Sequence, residues 1–163
     1  MHAEETPFQL YTVAETLDPV RCSGGLRVVP DYTPATAPAP HVIVIPAQRG
    51  WRSEAARAWL RSAKTQLTMS VCTGAFVLAG AGMLDGLAAT THHEFFDRFE
   101  ATFPAVKLDR KARFVFGSER IATAAGLSSG IDLALQVVAR FFGLEVAQQT
   151  AVYMEYRGTD WRP

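Results

Sequence analysis

Apolar positions along this chain fall into two rhythms, unbroken short runs and helical stripes. Residues 42–45, Val-Ile-Val-Ile, are apolar without interruption and are stopped by Pro46, the pattern of a parallel strand buried on both faces, as at the centre of a sheet. Residues 67–71, Leu-Thr-Met-Ser-Val, read as a second buried strand, and the small-residue stretch 73–83 reads as a helix, so Cys72 stands at the join. Between the two strands, Ser53 is placed to cap a helix reaching about Lys64, with Ala56, Trp59 and Leu60 on one face. Strand, helix, strand, helix is a right-handed βαβ unit. Its functional edge lies where strands end in loops, so the 47–51 loop and Cys72 are expected to meet there.

Flanking segments carry weaker signals. Residues 8–14 alternate apolar and polar positions and predict a strand, and 26–30 predicts a short second one that runs into a stiff loop containing Pro34, Pro38 and Pro40. After the turn Asp85-Gly86, residues 87–90 predict another short strand. Thr91 and Glu94 have the spacing of a capping box that opens a helix to about Phe103, with His92 in the first helical position. Three short strands are predicted at 106–108, 114–116 and 121–125, with turns near Arg110 and at Gly117-Ser118. A second capping box, Ser129 with Asp132, opens a nearly all-apolar helix to Phe142, and a last helix runs from Leu144 to about Tyr156.

With 163 residues the chain is read as one domain, 1–163, large enough to bury about 70% of the surface of its unfolded form. Sixteen Lys and Arg balance sixteen Asp and Glu, so no global field attracts nucleic acid or an acidic membrane. The expected partner is a small molecule, with no direct nucleic-acid contact. Two cysteines in dissimilar contexts, Cys22 beside a Ser-Gly-Gly turn and Cys72 at the strand–helix join, make no disulfide framework. No run approaches the roughly 18 apolar residues of a membrane span, and a soluble, cytoplasmic protein is expected.

The join itself carries the candidate chemistry. A residue between a strand and a helix sits where backbone N–H groups converge and the macrodipole is positive, and a thiol there ionises more readily. The geometry is that of a nucleophile elbow, with Ser70, Val71 and Gly74 as flanks, and Gly74 and Ala75 leave the sulfur approachable. The alternative is an inert buried cysteine acting as a small hydrophobe.

Taken together, Leu17-Asp18-Pro19-Val20-Arg21, Val42-Ile43-Val44-Ile45-Pro46, Val71-Cys72-Thr73-Gly74-Ala75-Phe76, Leu84-Asp85-Gly86, Ala89-Thr90-Thr91-His92 and Ala125-Gly126-Leu127-Ser128-Ser129-Gly130-Ile131-Asp132 resemble the PfpI-like superfamily of the class I glutamine amidotransferase-like fold. The likeness is strongest to isonitrile hydratases and to the sensor domains of AraC-type regulators. It implies an α/β, flavodoxin-like three-layer αβα sandwich with a mostly parallel sheet, often dimeric, here expected as a homodimer. It implies a catalytic Cys72 and Thr73, with His92 near the thiol; alternatively Thr73 is a helix-start hydroxyl and His92 a solvent-facing first-turn residue. Oxyanion-hole and pocket positions fall on Ala47, Gln48, Gly50 and Gly74, with no metal and no cofactor. His2, His41 and His93 are read as structural, and Asp132 as the capping-box acid.

This chain departs from the pattern twice. Relatives carry Pro-Gly-Gly-x-Gly where it has Pro46-Ala47-Gln48-Arg49-Gly50, so a positive φ at Ala47 or Gln48 would carry a steric cost. Relatives also begin with a strand, an acid-bearing loop and a helix that are not matched here, so the chain is read as N-terminally truncated relative to the family. Glu4, Glu5 or Glu15 could replace the acid, and spacing favours none of them. The functional expectation is an isonitrile hydratase-like, cysteine-dependent lyase or hydrolase; the alternative is a ligand-sensing domain without its DNA-binding region.

Overall fold

The computed structural model describes residues 8–48 and 53–162. The chain divides after Pro40 into two compact units.

In the first unit, β1 (Val20–Arg21) and β2 (Arg27–Val28) pair antiparallel around a tight turn at Ser23–Gly25, where Gly24 and Gly25 take φ of 81° and 94°. The strand expected over residues 8–14 does not form. Only Val13 makes a bridge, to Tyr32, and Phe8 and Leu10 are exposed. Alternating apolar side chains make a strand only where a sheet face receives them, and none does so here. The segment is held instead by Asp31, whose carboxylate accepts from the Thr12 N–H at 2.7 Å and from its hydroxyl at 2.8 Å. Those bonds from Thr12 hold the Asp31 carboxyl below its ordinary range.

The second unit is built on a four-stranded sheet in the order β3 (Val42–Ile45), β4 (Leu67–Val71), β8 (Ile121–Ala124), β7 (Phe114–Ser118). β3, β4 and β8 run parallel, and β7 is antiparallel to β8. Register assigns the faces. Ile43, Ile45 and Leu60 pack with α2 (Ala75–Gly80) and with Phe99 of α3 (Phe96–Thr102). Leu67, Met69, Ala122 and Ala124 pack against Leu133 and Val137 of α4 (Ser129–Phe142) on the other face. This is the mostly parallel αβα arrangement expected. A smaller parallel pair joins β5 (Ala88–Ala89) to β6 (Lys107–Leu108).

β3 differs from expectation. It pairs with one strand among the described residues, and Val44, on the α4 side, is 53% exposed. A strand is buried on both faces only when strands flank it on both sides. By contrast α1 (Glu54–Ser62) forms as its pattern dictates, with the Ser53 hydroxyl accepting from the Ala56 N–H at 3.3 Å. α2 is buried along almost its whole length, and Phe76 meets Phe95, Phe99 and Phe103 edge-on at 5.0–6.3 Å. The turn expected at Gly117-Ser118 falls two residues later, at Glu119-Arg120. β7 carries an irregularity at Gly117, a position that must be bare because a Cβ there would lie 2.5 Å from the Ala88 carbonyl oxygen. After Gly143, α5 (Leu144–Tyr153) buries Ala147 and Ala151 with Leu135 and Trp161. No helix is long and apolar enough to cross a membrane among the described residues.

Candidate functional site

β4 ends at Val71, and Cys72 follows with φ of 59°, one of three non-glycine residues in the left-handed region among those described. An L-residue there costs roughly 1–2 kcal/mol. The strain sits at the sharp strand-to-helix turn, Cys72–Gly74 forming a single tight helical turn before α2. Cys72 and Thr73 are half-buried, so the elbow is reachable. The backbone of Cys72 is held at both ends: its N–H donates to the Ala125 carbonyl at 2.9 Å, and its carbonyl accepts from the Thr91 hydroxyl at 2.9 Å.

Gly74 brings β3 to this elbow. A Cβ at Gly74 would lie far inside contact distance of the Ile45 carbonyl oxygen and 2.9 Å from that of Pro46. The end of β3 therefore meets the elbow as the βαβ topology requires. Ala47 and Gln48 are exposed and have no positive φ, so the steric cost considered for them is not incurred. Gly50, with Arg49 and Trp51, lies outside the described residues, as do Glu4, Glu5 and His2; Glu15 is exposed in the first unit.

The capping box at Thr91 is replaced by a different arrangement. Thr91 is wholly buried and spends its hydroxyl on Cys72, while His92 is the cap, its Nδ1 accepting from the Glu94 N–H at 3.3 Å. Thr90 is anchored to the sheet by donating its N–H to the Thr123 hydroxyl at 2.8 Å. This chain of contacts brings residues 90–92 to the Cys72 edge, a link that local spacing does not reveal. The His92 ring stacks on His93 with centroids 4.4 Å apart and lies over Gly126, where a Cβ would be 3.0 Å from its Nε2. Among the described residues no side chain hydrogen-bonds the Cys72 sulfur, and no cluster of His, Cys, Asp and Glu could hold a metal ion. Ser70 Oγ and Thr90 Oγ1 are buried beside the elbow without a partner among the described residues.

The second capping box is also replaced. Ser128 precedes α4 without capping it through its side chain, and Asp132 is completely buried inside an ionic network. Its Oδ2 accepts from Arg113 Nε at 2.7 Å and Nη2 at 2.5 Å, and its Oδ1 accepts from the Tyr156 hydroxyl at 3.0 Å. A buried carboxylate is far better stabilised by a guanidinium than by a helix N-terminus alone, so the ion pair wins. Asp132 holds the Arg113 guanidinium above its ordinary range, and Asp160 adds a longer contact at 3.4 Å.

Asp132→Ala leaves Arg113 and Tyr156 facing an empty site and is expected to cost about 3 kcal/mol, read by chemical denaturation. Burial first, then the bond to Asp132, pushes the Tyr156 phenol above its ordinary value of 10.0. Above about pH 10 the unfolded chain therefore releases a proton that the folded chain keeps, and stability falls as pH rises. Tyr156→Phe is expected to flatten that alkaline decline in a pH series of melting temperatures.

A model of the DJ-1/PfpI family matches residues 2–140. An isonitrile hydratase of Pseudomonas putida is 32% identical over 154 residues, covering 91% of this chain and 66% of that protein. The HTH-type transcriptional regulator CdhR of Pseudomonas aeruginosa is 31% identical over 137 residues, covering 83% of this chain and 36% of the regulator. The chain thus spans from about a third to about two thirds of the length of these relatives. Among solved structures, a ThiJ/PfpI family protein from Pseudomonas syringae aligns with a TM-score of 0.82 and 30% identity, over 93% of this chain and 64% of that one.

Proposed function

The chain belongs to the DJ-1/PfpI family, and we propose that within it this protein is a cysteine-dependent enzyme acting on a small carbon electrophile, with isonitrile hydration as the reaction. The observation that carries this reading is Cys72 itself, a half-buried thiol held at φ 59° on the turn between β4 and α2. Strain of this kind persists only where surrounding structure enforces it, and it gathers at reactive sites. Similarity to the hydratase supports the choice of substrate class.

In this reading the Cys72 thiolate adds to the terminal carbon of R–NC, and that carbon takes a proton, giving a thioimidate. Water then adds to the same carbon, and the C–S bond breaks to release R–NH–CHO and the thiolate, so that one water is consumed per turnover. Thr73 and a carboxylic acid handle the protons, and the acid is the component for which the described residues offer no candidate at the sulfur. His92 stands at the same edge as a proton-exchanging group. Ala47, Gln48, Gly50 and Gly74 are the proposed oxyanion-side positions. The protein is proposed to work as a cytoplasmic homodimer.

The test is direct conversion. The protein is incubated with cyclohexyl isocyanide and N-cyclohexylformamide is measured, with and without prior alkylation by iodoacetamide. Formamide that appears and is lost on alkylation supports the reading; no formamide, or formation indifferent to alkylation, overturns it. The second reading, a metabolite-sensing domain, is favoured by the absence of a hydrogen-bonding partner for the sulfur among the described residues and by similarity to the regulator. It predicts saturable ligand binding without turnover.

A further inference from the structure

Beside the elbow lies a cleft of about 350 Å³ between the Arg110–Arg113 segment and the turn entering α4, with His92 on its wall. We propose that this cleft binds a small organic monocarboxylate. Three cationic residues, Arg110, Lys111 and Arg113, line it, and among the described residues no acidic one does. The acids stand outside. Asp97 and Glu100 engage Arg110, Asp109 accepts from the backbone N–H of Lys111, and Asp132 and Asp160 engage Arg113.

These pairings divide the cations by availability. Arg110 is committed to two carboxylates. Arg113 spends Nε and Nη2 on Asp132, with Nη2 also reaching Ser128 Oγ at 3.3 Å, so the fork is fixed in direction while its Nη1 edge has no partner among the described residues. Lys111 is exposed, and its ammonium makes no hydrogen bond among the described residues, its charge being felt by the Asp109 carboxylate at longer range. A pre-oriented guanidinium edge beside a mobile ammonium suits a carboxylate, whose two oxygens accept from both.

Two apolar side chains also line the cleft: Phe96, whose ring lies under the Arg110 guanidinium at 5.6 Å, and Leu127, 80% exposed with φ of 45°. A hydrocarbon group lying on Phe96 and Leu127 would take apolar surface of both out of water. The carboxylate is therefore expected to carry a short hydrocarbon tail, lying against Phe96 and Leu127 with its head on Arg113, Lys111 and Ser128. This binding does not depend on the thiol chemistry, and the two can fail separately.

The experiment titrates the full chain with butyrate at fixed ionic strength and follows backbone amide resonances. Saturable shifts centred on residues 126–129 and His92 are expected. Lys111→Glu, on an exposed side chain, is expected to weaken binding at least about tenfold, and Ser128→Ala to weaken it less, both with unchanged melting temperature. Cys72→Ser is expected to leave it unaltered. Butyramide tests the charge and inorganic phosphate tests the tail; both are expected to bind more weakly. Shifts that do not saturate, butyramide or phosphate binding as tightly as butyrate, or indifference to Lys111→Glu would each overturn the proposal.

Discussion

Cys72→Ala is expected to bring isonitrile turnover down to the uncatalysed rate while leaving the fold in place. In the proposed reaction the sulfur would supply the bond that splits one hard addition into two easier ones. Alanine at φ 59° keeps the backbone strain, since the left-handed region crowds any Cβ. Cys72→Gly is the informative partner. It removes the same sulfur and relieves the strain, so it is expected to be as inactive as Cys72→Ala but more stable by about 1 kcal/mol. Loss of activity joined to a gain in stability is the signature of a residue retained for chemistry rather than packing. Activity in both variants, followed as formamide release, would remove Cys72 from the mechanism.

Gly74→Ala is expected to give the largest loss of stability, more than about 4 kcal/mol, with little folded protein at 37 °C. Its Cβ would press on the backbone carbonyls of Ile45 and Pro46, and neither atom is the end of a flexible side chain that could swing away. Relief requires β3 to withdraw from the elbow, yet β3 is tied to β4 along the register Val42↔Leu67 to Ile45↔Ser70. The overpacking is thus transmitted into the sheet. Alanine is the better helix former and Gly74 has an ordinary helical φ of -56°, so a fall in melting temperature reports the clash and not helix propensity. A folded Gly74→Ala with a near-native melting temperature would mean that the β3–elbow contact is looser than described.

Much of the second unit was legible because its elements are dictated locally. The run at 42–45 makes β3, the Ser53 cap starts α1, the stretch at 67–71 makes β4, and Gly143 with φ of 93° separates α4 from α5. The same local rules misread residues 8–14, where alternation found no sheet face to bury Phe8 and Leu10. Both capping boxes have the right residue types at the right spacing, and each lost to a distant partner. Thr91 bonds Cys72, nineteen residues away, and Asp132 bonds Arg113, also nineteen residues away. A local cap is worth about 1 kcal/mol, whereas an unpaired buried carboxylate would cost several, so the long-range partner decides.

By itself, then, the order of residues determined where β3, α1 and β4 lie, that a parallel sheet forms, and that a cysteine stands at a strand–helix turn. Each of these depends on neighbours within a few positions. Only the tertiary structure decided that Gly74 must be bare because β3 arrives there, that Thr91 holds the Cys72 carbonyl, and that Asp132 orients Arg113 toward a cleft. Those outcomes depend on which polar groups burial leaves facing one another, and burial is settled by packing across the sheet rather than along the chain.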